Sequence, residues 1–218
     1  MTPPGTIVLL NGTGSAGKTS IARAIQARAD EPWLHLGMDQ FYLDICPPHF
    51  LLRELAPGAT PTGDEREAVL FVPTGGEPLE TAIVIPPFGH QLISGLHHAV
   101  AALAGLGHRV VVDHVLSEPA WLRECVALWA PFPVLFIGVR CPLAVVEARE
   151  AARAERTVKG LVRWLFDRVH VYGDYDLEVD TAAATPAECA DTILRRLAGG
   201  PPPAAFRRLA EDLPDIAP

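Results

Sequence analysis

The stretch Gly12-Thr13-Gly14-Ser15-Ala16-Gly17-Lys18-Thr19 fits G-x-x-x-x-G-K-[ST] at every fixed position. It follows the apolar run Ile7-Val8-Leu9-Leu10 and precedes a helix-like segment, Ser20 to Ala29, which is the strand–loop–helix setting that gives the motif its meaning. Glycines let such a loop wrap with its backbone N–H groups inward, and the following helix offers its positive end to an anion. The pattern therefore assigns Gly12, Thr13, Gly14, Ser15, Ala16, Gly17, Lys18 and Thr19 to a phosphate cradle for a nucleoside triphosphate. Lys18 would neutralise the β- and γ-phosphates, and Thr19 would hold Mg²⁺. Nothing in the loop says whether the phosphoryl group goes to water, a protein or a small molecule, and no base-reading motif chooses between ATP and GTP.

A loop of this kind needs a sheet behind it and helices around it. With 218 residues, 49% of them hydrophobic, the chain can bury one core and reads as a single domain over residues 1–198, followed by a C-terminal tail over 199–218. A net charge of -8 offers no basic surface for nucleic acid or an anionic membrane, so phosphate binding has to be local. Cys46, Cys125, Cys141 and Cys189 lie far apart without a C-x-x-C pair, which argues against a zinc site and a disulfide framework and for a reducing cytoplasm. The N-terminus shows no secretory pattern, and no apolar stretch approaches a membrane span. The expectation is a soluble, cytoplasmic protein whose oligomeric state the sequence leaves open.

Taken in order, the chain reads as a buried strand over Ile7–Asn11, a helix over Gly17–Ala29, and a second strand, Trp33–Gly37, ending at Met38-Asp39. Residues 40–89 are punctuated by proline and glycine. Two apolar runs inside them, Ala68 to Val72 and Ala82 to Ile85, read as a hairpin or flap, and an insertion of this length is expected to form a wall of the acceptor pocket. A helix over 91–106, a strand over 109–112 closing with Asp113-His114, a helix over 119–129 and a strand over 134–139 follow. The spacing then predicts helices over 142–157 and 161–171, a strand over 177–180 and a last helix to Leu197. Five strands alternating with helices imply a three-layer α/β fold around a parallel sheet with right-handed crossovers.

Three strand ends then carry the candidate chemistry. Asp39, just past the second strand, sits where α/β sheets put catalytic groups and suits the acceptance of a proton from an attacking hydroxyl; the plainer reading is a helix N-cap. Asp113, after a third buried strand, occupies the position of a carboxylate that reaches Mg²⁺ directly or through water, or else is a structural carboxylate held by the loop. Arg149, Arg153 and Arg156 fall at i, i+4 and i+7, so one helix would carry them on one face. That face, within a lid over 149–168, could close on the polyphosphate, or could be a solvated face paired with Glu147, Glu150 and Glu155. Arg140 is a further candidate, and His114 could line the pocket. The remaining histidines read as surface or core residues, and Trp33, Trp121, Trp129 and Trp164 as core.

With the loop, Gly37-Met38-Asp39, Val111-Val112-Asp113, Gly138-Val139-Arg140-Cys141, Arg149-Glu150-Ala151-Ala152-Arg153 and Tyr172-Gly173-Asp174-Tyr175-Asp176-Leu177-Glu178-Val179-Asp180 in view, the chain resembles the chloramphenicol phosphotransferase family. The resemblance spans about Ile7 to Leu194. It implies a P-loop NTPase fold like that of adenylate or shikimate kinase, and transfer of a γ-phosphate to an alcohol of an antibiotic. It also implies a base at Asp39 and lid arginines on the phosphates. In the chloramphenicol enzyme the stretch corresponding to 40–112 looks shorter, and a second acidic residue stands where this chain has His114. The expectation is thus a Mg²⁺-dependent O-phosphotransferase using ATP or GTP on a hydroxylated small molecule, an antibiotic first. A kinase of a primary metabolite and a regulatory nucleotide-binding module are the alternatives, and a switch GTPase is disfavoured by the lack of N-K-x-D.

Overall fold

The computed structural model describes residues 3–63, 65–153 and 158–212. From the N-terminus the chain runs β1 (Ile7–Asn11), α1 (Lys18–Arg28), β2 (Trp33–Gly37), α2 (Met38–Ile45), the single turn α3 (Pro48–Leu51), β3 (Leu52–Glu54), β4 (Val69–Pro73), β5 (Thr81–Val84) and α4 (Pro87–Gly105). It continues through β6 (Arg109–His114), α5 (Pro119–Trp129), β7 (Val134–Arg140), α6 (Leu143–Ala152), α7 (Leu161–Phe166), β8 (Leu177–Asp180), α8 (Pro186–Gly199) and α9 (Ala205–Asp212).

The main sheet has the order β2-β6-β1-β7-β8, all parallel. β1 lies at its centre, with Ile7 beside both Val110 and Val134, and every residue of β1 is buried. Because successive side chains point to opposite faces, Ile7 and Leu9 join the core under α4, α5 and α9, whereas Val8 and Leu10 join the core under α1 and α8. That alternation makes the three layers. The chain leaves β1 toward β2 on one side and later returns on the other at β7, so the turn after β1 sits at a switch point, where such sheets open a crevice.

The 40–89 stretch is more ordered than its proline content suggested. Asp39 lies in the first turn of α2, whose Tyr42 is buried, and the two apolar runs pair as the antiparallel β4–β5 hairpin with Leu70 opposite Val84. β3, which periodicity missed because all three of its residues are exposed, adds in parallel to β4. The helices expected over 142–157 and 161–171 stop early, at Ala152 and Phe166. Lys159 explains the first stop: its Nζ donates to the carbonyls of Glu150 and Arg153, both at 2.9 Å, satisfying the open end of α6. Trp164 is half-buried, with Arg168 4.2 Å above its ring, whereas Trp33, Trp121 and Trp129 are core.

The C-terminal tail carries α9, and its start is held in place. Asp176 accepts from the N–H groups of Ala204 and Ala205 at 2.7 and 2.9 Å with one oxygen and from Phe136 N–H at 3.1 Å with the other. This caps α9 from outside. Phe206 then stacks on Trp129 (5.6 to 6.1 Å separates its ring from its two aromatic neighbours) and meets Phe136 edge-on. Burying a side chain of that size stabilises by about 1.5–3 kcal/mol.

Candidate active site

The loop after β1 is shaped by two glycines that no other residue could replace without movement. A Cβ on Gly12 would stand 2.6 Å from the carbonyl oxygen of Val139, and Gly17 adopts φ +97° as the N-cap of α1. Asn11 fixes the strand end from below: its Nδ2 donates to Val169 O at 2.6 Å and to Tyr175 OH at 2.8 Å, and its Oδ1 accepts from Leu116 N–H at 2.9 Å. Lys18 is buried, and its Nζ donates to the carbonyls of Gly12 and Thr13, both at 2.8 Å. The Ser15 hydroxyl is buried in the loop with no hydrogen-bond partner. A buried, orphaned hydroxyl beside an ammonium and a helix N-terminus is the chemistry of an anion cradle.

Asp113 meets this cradle from β6. His35, on the neighbouring strand, approaches its Oδ2 to 3.0 Å. Burial raises the Asp113 pKa, but the hydrogen bonds from His35 and Thr19 and the positive charge of Lys18 outweigh it, so the carboxyl stays below its ordinary range and ionised. A carboxylate and the hydroxyl of exposed Thr19, both hard oxygen donors, fit Mg²⁺. Asp39 is exposed at the mouth, and three residues further along α2 the Tyr42 hydroxyl donates to Gly89 O at 3.1 Å, tying the second turn of α2 to the first turn of α4.

The arginine stripe is not one helix face. Arg149 lies on α6, Arg153 is its extended C-cap with ψ 108°, and Arg156 falls outside the described residues. Arg149 lies half-buried behind the loop, where Nη1 donates to Thr181 Oγ1 at 3.0 Å and Nη2 to Thr181 O at 2.8 Å; the Thr181 hydroxyl in turn donates to Ala16 O at 2.7 Å. Nor is Glu150 a solvated partner of these arginines. It is buried and accepts from Gly160 N–H at 2.9 Å and Val162 N–H at 3.2 Å, capping α7. Glu147 pairs instead with Arg163, and Arg140 pairs with Glu178.

A cavity of about 510 Å³ opens beside the loop, lined among others by Thr13, Arg140, Cys141, Phe166, His170 and Asp180. Burial lowers the His170 pKa to about 4 and raises that of Tyr175 to about 12. Both are therefore neutral near pH 7. The Tyr175 hydroxyl, which accepts from Asn11, shares a hydrogen bond of 2.7 Å with His170 Nδ1. His114 does not line the mouth: it is fully buried on the α4–α5 side, with its Nε2 3.0 Å from Nε2 of His97, whose Nδ1 meets Glu124 at 2.5 Å. Sequence reasoning missed Asn11, His35 and Thr181; a polar residue closing an apolar run was the one available signal, at Asn11.

Over residues 5–198 the chain matches the family described as chloramphenicol phosphotransferase-like protein. A Mycobacterium tuberculosis protein named "Putative O-phosphotransferase Rv2636" is 31% identical over 208 residues, which span 95% of this chain and 88% of the relative. Of solved structures, M. tuberculosis APS kinase CysC in complex with AMPPNP and APS superposes with a TM-score of 0.60 at 15% identity, covering 90% of this chain and 99% of that one. The Deinococcus radiodurans tunicamycin resistance protein gives 0.57 at 16%, covering 89% and 96%. At such identities the two structures establish a shared P-loop kinase fold.

Proposed function

This chain belongs to the chloramphenicol phosphotransferase-like family, and on that premise we propose that it transfers the γ-phosphoryl group of ATP to a hydroxyl of a small molecule. The observation that carries the proposal is the convergence, at one end of the sheet, of the loop Gly12–Thr19, the ionised Asp113 and the exposed Asp39. The acceptor oxygen attacks the γ-phosphorus in line as the bond to the β–γ bridging oxygen breaks, ADP leaves, and the hydroxyl proton passes to the Asp39 carboxylate. The backbone N–H groups of the loop and Lys18 hold the triphosphate and offset its charge. Thr19 and Asp113 would hold Mg²⁺, which when bound neutralises charge on the phosphate oxygens. Arg149, which braces the loop through Thr181, and Arg153, at the end of α6, would bound the donor side within the 149–168 lid, and the 40–89 insertion would wall the acceptor.

ATP is preferred over GTP because the similar APS kinase holds AMPPNP. An antibiotic acceptor is favoured by the family description and by the likeness to a tunicamycin resistance protein. A cytoplasmic setting agrees with four free, buried cysteines; among the described residues no helix is long and apolar enough to cross a membrane. The test is incubation with γ-labelled ATP, Mg²⁺ and a panel containing chloramphenicol, tunicamycin and nucleosides. Label is expected on an alcohol, with Asp39→Asn lowering the transfer rate by about 10²–10⁴ while the fold is kept. Label recovered only as free phosphate would overturn the reading.

A further inference from the structure

One polar arrangement on the acceptor side has no part in the transfer step. Trp121 is 4% exposed, and its indole N–H, which can only donate, points at His90 Nδ1 from 3.1 Å. That nitrogen therefore holds a lone pair, and the neutral ring carries its proton on Nε2. Nε2 faces Glu118 Oε2 at 3.8 Å, too far for a direct hydrogen bond. The His90 and Glu118 side chains are 43% and 38% exposed, so an anchored N–H and a carboxylate oxygen stand side by side, accessible from solvent.

Their position relative to the reacting end is fixed by contacts already described. Asp39 and Tyr42 are one turn apart on α2, Tyr42 bonds Gly89 O, and Gly89 precedes His90. Burial raises the Tyr42 pKa, and the charges of Glu118 and Asp39 add to it, as expected when both carboxylates flank one phenol.

Resting on the transferase reading above, we propose that His90 and Glu118 grip a second hydroxyl of the acceptor while its reacting hydroxyl lies at Asp39, so that the acceptor is a diol or polyol. An oxygen about 2.8 Å from both groups bridges the 3.8 Å gap, accepting from His90 Nε2–H and donating to Glu118. A hydroxyl does both. An ammonium cannot accept from Nε2–H, and a carboxylate is repelled by Glu118, so the pair selects for an alcohol.

The experiment compares phosphorylation of chloramphenicol and of uridine with that of their singly deoxygenated analogues, by wild type, Glu118→Ala and Glu118→Gln. Wild type is expected to prefer the diol, and Glu118→Ala to lower the diol-to-deoxy ratio of kcat/KM by about 10- to 100-fold, with Glu118→Gln between them. Glu118 is partly exposed, so both variants should keep the wild-type Tm, which is measured alongside. A ratio unchanged by Glu118→Ala overturns the grip while leaving the transferase reading intact. No label on any alcohol with wild type overturns the transferase reading, and the grip with it.

Discussion

Around the phosphate loop, groups are buried and tied to one another: Lys18 to two carbonyls, Asp113 to His35, Arg149 to Thr181, Asn11 to three partners. In the insertion, β3 is exposed along its whole length, and Leu43, Ile45 and Leu52 are 62%, 52% and 47% exposed. One region is tied together by buried polar contacts; the other reaches the core through Tyr42, Ala68 and Ile85 but presents an exposed face on which residues can vary without unfolding the sheet. Changes on the donor side should therefore act on every acceptor alike, and changes in the insertion should act on the choice of acceptor.

The sharpest way to break that contrast is Lys18→Met, expected to lower kcat/KM by about 10³ for all acceptors. A loss that differs more than tenfold between acceptors would show the two halves to be coupled. Asp113→Asn comes next, raising the Mg²⁺ concentration needed for half-maximal activity by about 10- to 100-fold in a metal titration. It also has a pH signature. Because the folded Asp113 pKa lies below its ordinary 3.8, its contribution to stability is full above that value and is lost as pH falls through the folded pKa. Urea midpoints of wild type and Asp113→Asn should accordingly converge below about pH 3.8.

Arg149→Ala is expected to cost about 1–2 kcal/mol by stranding Thr181 O and loosening the loop, which differential scanning calorimetry would register as a Tm drop of roughly 3–8 °C. A fall in kcat with Tm unchanged would instead mark Arg149 as a group that acts on the phosphates alone. The smallest effect belongs to the insertion: Leu43→Ala should change stability by less than about 0.5 kcal/mol in chemical unfolding. A larger cost would mean that the exposed face of α2 is covered in the working protein.

The same contrast explains what could be read in the sequence. The loop, the strand ends beside Asp39 and Asp113 and all five parallel strands were legible because a buried strand writes a continuous apolar run and a phosphate cradle needs fixed glycines. β3 was not, since three exposed residues carry no period. The arginine face failed for a different reason: the i, i+4, i+7 spacing was sound, but it presumed a helix through Arg153, and Lys159, six residues on, ends that helix by taking its carbonyls. The His90–Glu118 pair was invisible because 28 residues separate two groups that only the packing of α4 on α5 brings together.

The Asp176 clasp has a consequence for how the chain is made. Phe136, on a strand beside the central one, and Trp129 both complete their packing with Phe206, some seventy residues later, and Asp176 holds the start of that last helix to the start of β7. On the ribosome, the P-loop strand and its neighbours emerge long before this contact can form. The aromatic face beneath β7 therefore stays uncovered until residues 205–209 have cleared the exit tunnel, well after β7 itself has emerged, and the strand's packing is completed by a segment made much later.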